Sequence, residues 1–219
     1  MAPGDPLIRW DWVLGHLDDI AFRLGEHVLL TGVAVGVGFI ISFALALLVI
    51  RQPRALGPVT GAAGVLYTIP SLALFALLIP FTGLSFLTAE IALVSYTILI
   101  LVRNIVAGVA GVPAEMREAA AGMGYTRWQR LWRVELPVAT PVVLAGVRLA
   151  TVTTIGLVTV TALIGQGGLG RFIVEGHARF FATPLVVGAG LSVALAFAAD
   201  AGFVLLQRLL TPWARLAAG

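Results

Sequence analysis

The chain has no cysteine, no lysine and very little charge of either sign. Zero Cys in 219 residues excludes disulfide staples and thiolate-bound zinc or iron–sulfur centres. Charged residues make up 11% of the chain, less than half the roughly 25% of an ordinary soluble domain. With lysine missing, all 14 positive side chains are arginine, set against 11 acids for a net charge of +3. The pI of about 10.2 raises the question of nucleic acid. The arginines, however, are spread along the sequence, which suits a membrane surface and not a nucleic-acid partner. His16, His27 and His177 are too far apart in sequence to suggest a metal site. There is no phosphate-binding loop, no Gly-x-Ser-x-Gly and no metal-ligand cluster, so no catalytic residue is assigned. The N-terminal region carries Asp5, Asp11, Asp18 and Asp19 where a cleavable signal would be positive.

What is present is apolar. Hydrophobic residues reach 59% and the mean hydropathy is +1.01. Val28 to Ile50 contains no charge at all, enough to cross a hydrocarbon core of about 30 Å. The expected fold is all-α, a polytopic membrane helix bundle with about five spans, forming a single transmembrane domain over 1–219. The spans are placed at about 28–50, 58–79, 83–102, 141–164 and 184–206. The third is expected to continue past Arg103 and Asn104. Gly32, Gly36 and Gly38 suggest a small-residue face on the first span. Pro70 is expected to kink the second. Thr140 and Pro141 are expected to open the fourth as N-cap and first helical position. Ahead of the spans, Ile8, Trp12, Leu17, Ile20 and Leu24 recur at helical spacing, predicting an interfacial helix over 7–27.

Five spans put the termini on opposite sides, and arginine orients them. One side collects Arg51, Arg54, Arg103, Arg117, Arg127, Arg130, Arg133, Arg148, Arg208 and Arg215, the other Arg9, Arg23, Arg171 and Arg179. The excess places the 113–140 loop and the C-terminus in the cytoplasm and the N-terminus outside, in a multi-pass protein of the cell membrane.

The 113–140 loop is the only long polar stretch. Pro113 suits a first helical turn, with Glu115 and Glu118 early in the helix where the dipole favours acids. Ala119, Ala120 and Ala121 offer a thin face for another protein's groove. Gly124 is placed as the left-handed residue that ends the helix. Thr126 and Gln129 form a capping box for a second helix, which Pro137 is expected to end.

Glu118-Ala119-Ala120, three residues, Gly124, nine residues, then Val134-Glu135-Leu136-Pro137 resembles the EAA loop of permeases of binding-protein-dependent ABC importers. Within that family, Tyr67–Leu74, Leu101–Asn104, Gly122–Gln129 and Ile164–Gly170 resemble the osmoprotectant branch, which imports glycine betaine, choline, carnitine and similar quaternary ammonium compounds. The resemblance covers nearly the whole chain. It implies two cytoplasmic ATPase subunits, a second permease (identical or paralogous) and an external substrate-binding protein. It also implies that ATP and Mg sit on the ATPase, with no cofactor on this chain and no enzyme activity of its own. The resemblance further implies that coupling to the ATPase is carried by Glu118, Ala119, Ala120, Gly124, Leu136 and Pro137. The alternatives are a permease for another small solute such as an amino acid, a self-sufficient secondary transporter, or an assembly protein with no transport role.

Gly165, Gly167 and Gly170 match a dinucleotide fingerprint but follow a span and not a strand, so they are read as a tight external turn. Asp200 is the one acid noted inside a span. It is read as structural, bonded to Arg103 or Arg148, with contact to a cationic substrate as the alternative. Tyr67, Thr68, Pro70 and Ser71 at the proline, with Thr154 among the fourth-span threonines, are candidates for the translocation path. They offer hydroxyls and an aromatic ring without fixed charge.

Overall fold

The computed structural model describes residues 6–212, so Arg215 of the orientation count lies outside the described residues. Every regular element among them is helical: α1 (Trp10–Gly15), α2 (Leu17–Arg51), α3 (Leu56–Thr68), α4 (Ser71–Thr82), α5 (Phe86–Ala110), α6 (Ala114–Gly122), α7 (Arg127–Arg130), α8 (Leu136–Thr161), α9 (Gly170–Ala178) and α10 (Ala182–Leu210). Four helices are long and apolar enough to cross a membrane, and α3 with α4 makes a fifth, bent span.

The helix expected over 7–27 is divided at His16. Only α1 stands apart; from Leu17 the chain runs without a break into the first span, a single helix of 35 residues. At 1.5 Å per residue it is about 52 Å long and exceeds the hydrocarbon core. Asp18 and Asp19 in its first turn complement the helix dipole, so the acids begin the spanning helix instead of lining an interfacial one. Of the three glycines expected to form a face, only Gly38 meets a neighbour. A Cβ there would lie 1.9 Å from Thr97 Oγ1, whereas Gly32 and Gly36 have nothing within 4 Å.

α5 is the centre of the bundle, packed against α2, α3, α4 and α8. Leu30 and Ala34 of α2, Phe75 of α4, Leu93 and Tyr96 of α5, and Val158 of α8 share one buried cluster. A second cluster, Val109, Leu131 and Ala139 with Leu47, Ile50 and Leu136, joins the C-terminal ends of α2 and α5 to the start of α8. α10 packs on α8 and α9, and its buried residues, Thr183, Pro184, Gly188 and Ser192, all fall in its first half. α9 lies in a segment expected to be a loop.

Two proline expectations are corrected. Pro137 does not end the second loop helix, and Thr140 and Pro141 do not start the fourth span; helix runs from Arg127 to Ile164. Leu131–Glu135 is a π turn, in which the Leu136 N–H reaches Leu131 O. This wider turn accommodates Pro137, whose ring would clash with the carbonyl four residues back in an α-helix. The Thr140 hydroxyl donates to Leu136 O at 3.0 Å, and Pro141 lies inside α8.

Candidate functional site

The 113–140 segment folds as the spacing requires at its centre. α6 ends in a Gly124 with φ +80, a conformation glycine adopts without penalty. The Tyr125 N–H reaches Ala120 O at 3.1 Å and the Gly124 N–H reaches Ala121 O at 2.9 Å, which closes the helix end. Thr126 and Gln129 then form the reciprocal capping box, at 3.2 and 2.9 Å.

The faces of α6 divide in a way the alanine run did not reveal. Glu118 and Ala119 are exposed, but Ala120 is 1% exposed. Ala120 therefore belongs to the inner face of α6, and a groove on another protein could close only over the opposite side. Leu136 is half-buried and Pro137 exposed at the start of α8.

What holds α6 in place is an acid that sequence reasoning missed. Glu135 fills the variable position before Leu136-Pro137 and is 5% exposed. It accepts from Arg130 Nε at 2.8 Å, and Arg117 Nε stands 3.8 Å away. Arg117 of α6 also donates to Val109 O at 2.6 Å and Ala110 O at 3.0 Å, capping the C-terminus of α5 where the dipole favours a cation. Loop helix, π turn and third span are thereby tied through one buried carboxylate. The signal was available only as an acid at a variable position flanked by arginines.

The second span is broken outright, not kinked. α3 and α4 meet at 95°, because Ile69 (ψ 126) and Pro70 (ψ 135) are both extended. The residue before a proline is biased this way. The Tyr96 hydroxyl of α5 donates to Ile69 O, so the break is held from the bundle centre. Tyr67, Thr68 and Pro70 are exposed there and Ser71 is half-buried. The Thr68 hydroxyl donates to Val65 O at 2.8 Å, while the Tyr67 ring packs edge-on to Tyr96 at 5.9 Å. Thr154 does not join this surface; it is 1% exposed inside the protomer.

Asp200 pairs with Arg148, one of its two named partners. Both guanidinium arms engage it, Nη2 to Oδ2 at 2.7 Å, and the two side chains remain 38% and 36% exposed. Asp200 is not the sole acid in a span, as the sequence suggested. Glu90 of α5 is 6% exposed, and neither carboxylate oxygen has a hydrogen-bond partner. Gly38 of α2 meets Thr97 of α5. Two turns earlier on the same faces lie Thr31 and Glu90, and the Thr31 hydroxyl is likewise buried without a partner. The signal was a lone acid in the apolar run after Phe86.

At the opposite end of the bundle the glycine motif forms a turn, with φ +77 at Gly165 and +80 at Gly168. Glu26 accepts the Gly168 N–H at 3.2 Å. His27 Nδ1 accepts the Leu169 N–H at 3.2 Å, so its proton sits on Nε2, directed at Ile155 O 3.0 Å away. His27 is a clamp between α2, α8 and this turn.

Four membrane-length helices, a broken pair that completes a fifth span and an anchored connecting loop define a polytopic membrane protein. The chain belongs to the family of binding-protein-dependent transport system inner membrane components, which matches residues 38–212. It is 39% identical over 203 residues to the osmoprotectant import permease protein OsmW of Salmonella typhimurium, covering 90% of this chain and 93% of that one. It is 33% identical to the glycine betaine/carnitine/choline transport system permease protein OpuCB of Bacillus subtilis, over 89% of each chain. Among solved structures, the inward-facing MetNI methionine ABC transporter superposes with a TM-score of 0.82 at 22% identity, over 90% of this chain and 98% of that one. An amino acid ABC transporter gives 0.77 at 18% identity, over 92% and 98%. The fold is that of type I ABC importer permeases.

Proposed function

We propose that this chain is the permease of an ATP-driven importer for quaternary ammonium osmoprotectants such as glycine betaine, choline or carnitine. It works with two ATPase subunits that carry ATP and Mg, a second permease subunit and an external substrate-binding protein. The substrate class is supported by the names of the similar permeases. The orientation is supported by arginine. Arg51, Arg54, Arg117, Arg127, Arg130, Arg133 and Arg208 lie at the loop end, against Arg9, Arg23, Arg171 and Arg179 at the other, which puts the loop end in the cytoplasm. Arg103 and Arg148 sit within the apolar stretches of the spanning helices α5 and α8 and do not count towards either side.

The observation that carries the mechanism is the division of α6. Its inner face is locked to the bundle through Ala120, Arg117 and Glu135. Its outer face presents Glu118 and Ala119. A push on the outer face from a closing ATPase pair is passed to α5 and α8 as a rigid displacement, because the anchored helix cannot yield by itself. The break at Ile69–Pro70 and the surface of Tyr67, Thr68 and Ser71 then form part of the route that opens and closes.

The test is substrate-stimulated ATP hydrolysis and uptake of labelled glycine betaine, choline and carnitine by the complex reconstituted with all partners. Ala119→Trp blocks the outer face sterically, and Gly124→Val places a β-branched residue at φ +80. Both should leave permease in the membrane while abolishing stimulation. Equal stimulation in wild type and both variants would remove the coupling role, and failure to take up any of the three solutes would remove the substrate class.

A further inference from the structure

The loop end carries a cleft of which the coupling anchor uses only Arg130 and Glu135. About 630 Å³ in volume, it is lined by Ile50 and Arg51 at the end of α2, by Arg127, Trp128 and Arg130 of α7, and by the π turn. Three guanidinium groups meet there with one carboxylate, Glu135, which is already bonded to Arg130. Among the described residues neither Arg51 nor Arg127 forms an ion pair with an acid. Arg51 instead stacks over Trp128, its guanidinium carbon 4.6 Å from the ring centre. Arg51 and Arg127 therefore bring positive charge to the cleft that no acid among the described residues pairs with, and Trp128 holds Arg51 in place.

From this cleft an aromatic strip runs into the apolar part of the bundle. Trp128 meets Trp132 at 5.6 Å, Trp132 meets Phe43 at 5.9 Å, and Phe43 meets Phe39 at 5.8 Å. The two tryptophans are 43% and 45% exposed. Phe39 lies twelve residues before Arg51 on α2, about 18 Å at 1.5 Å per residue. That is about the depth of one leaflet of a hydrocarbon core of roughly 30 Å. Tryptophan belongs at the headgroup level and arginine just beyond it.

We infer that this cleft and strip are a binding site for an anionic phospholipid. Its phosphate is held by Arg51 and Arg127, and one acyl chain lies along Trp132, Phe43 and Phe39. A soluble phosphate compound would satisfy the arginines but would leave the strip unused. A cytoplasmic protein partner would satisfy the cleft but would have no access to Phe39 within the bilayer. Basic pockets beside membrane helices bind anionic headgroups in this way, with each arginine near the surface contributing about a fivefold gain in binding.

The experiment is native mass spectrometry of the full chain, purified with its co-eluting partners, and equilibrated with phosphatidylglycerol or phosphatidylcholine of matched acyl chains. The wild type should retain phosphatidylglycerol in preference, and Arg51→Gln/Arg127→Gln should lose that preference by about 25-fold. Arg51→Lys/Arg127→Lys, which keeps the charge, should recover most of it. Phe39→Ala should weaken phosphatidylglycerol retention with the arginines intact, and excess inorganic phosphate should not displace the lipid. Equal retention of both lipids by the wild type, or undiminished preference in the glutamine variant, overturns the site. Displacement by inorganic phosphate makes it a free-anion site and overturns the lipid assignment. So does loss of the co-eluting partner with lipid retention unchanged, which makes the cleft a protein-docking surface.

Discussion

Glu135→Gln keeps the shape of the side chain and removes its charge. In the native protein that carboxylate is 5% exposed, accepts from Arg130 at 2.8 Å and faces Arg117 at 3.8 Å. Removing one member of a fully buried ion pair costs about 3–5 kcal/mol. Here the two arginines are 30% and 34% exposed, so water takes over part of their solvation and about 2 kcal/mol is a better figure. In a chain of this size that amounts to a fall of about 4–8 °C in unfolding midpoint. The loss has a direction as well as a size. Arg117 keeps its bonds to Val109 O and Ala110 O, so α6 stays near α5 but is no longer tied to the π turn. Unfolding of the purified protein should shift by this amount, and hydrolysis in the reconstituted complex should lose most of its stimulation by substrate while its basal rate persists. An unchanged midpoint would refute the network as an anchor. A lower midpoint with full stimulation would refute its part in transmission.

Two further outcomes follow from the spans. Pro70→Ala should leave uptake within about twofold of wild type, because the break is also held by Tyr96 on Ile69 O. Tyr96→Phe, which removes a bond with a net contribution of about 1 kcal/mol, should slow it more; the reverse order in labelled-solute uptake would return the break to the proline alone. Glu90→Leu should raise the unfolding midpoint by about 2–12 °C, since a buried carboxylate without a partner costs about 1–3 kcal/mol. A drop in midpoint would show that the acid has a stabilising partner.

Local chemistry was legible wherever it acts over a few residues. The charge-free run at 28–50 implied a span because no other environment accepts so long a stretch. The turn between α6 and α7 could be placed to the residue, since a left-handed Gly124 and the Thr126–Gln129 box are determined within six positions. The family could be recognised from the same spacing. Proline was misjudged for the complementary reason. Whether Pro70 bends a helix or breaks it depends on what receives the carbonyl opened at a break, here Ile69 O, and Tyr96 lies 27 residues from it. Pro137 fits inside a helix only because the preceding turn widens.

Burial was decided by the tertiary structure alone. Three consecutive alanines are equivalent in sequence, yet Ala120 is enclosed and Ala119 is open, because a helix turns about 100° per residue and only packing sets its rotation. Glu135 looked like a variable position, and Glu90 went unremarked in an apolar run. Their weight comes from neighbours on other helices: two arginines for one and none for the other. The sequence by itself determined that this chain crosses the membrane and where its loop turns, since hydropathy and backbone dihedrals are properties of short segments. Which face of the loop helix is anchored, which acid anchors it and the enclosure of Thr154 were decided by helix–helix packing. A side chain's environment there is made of residues tens of positions away.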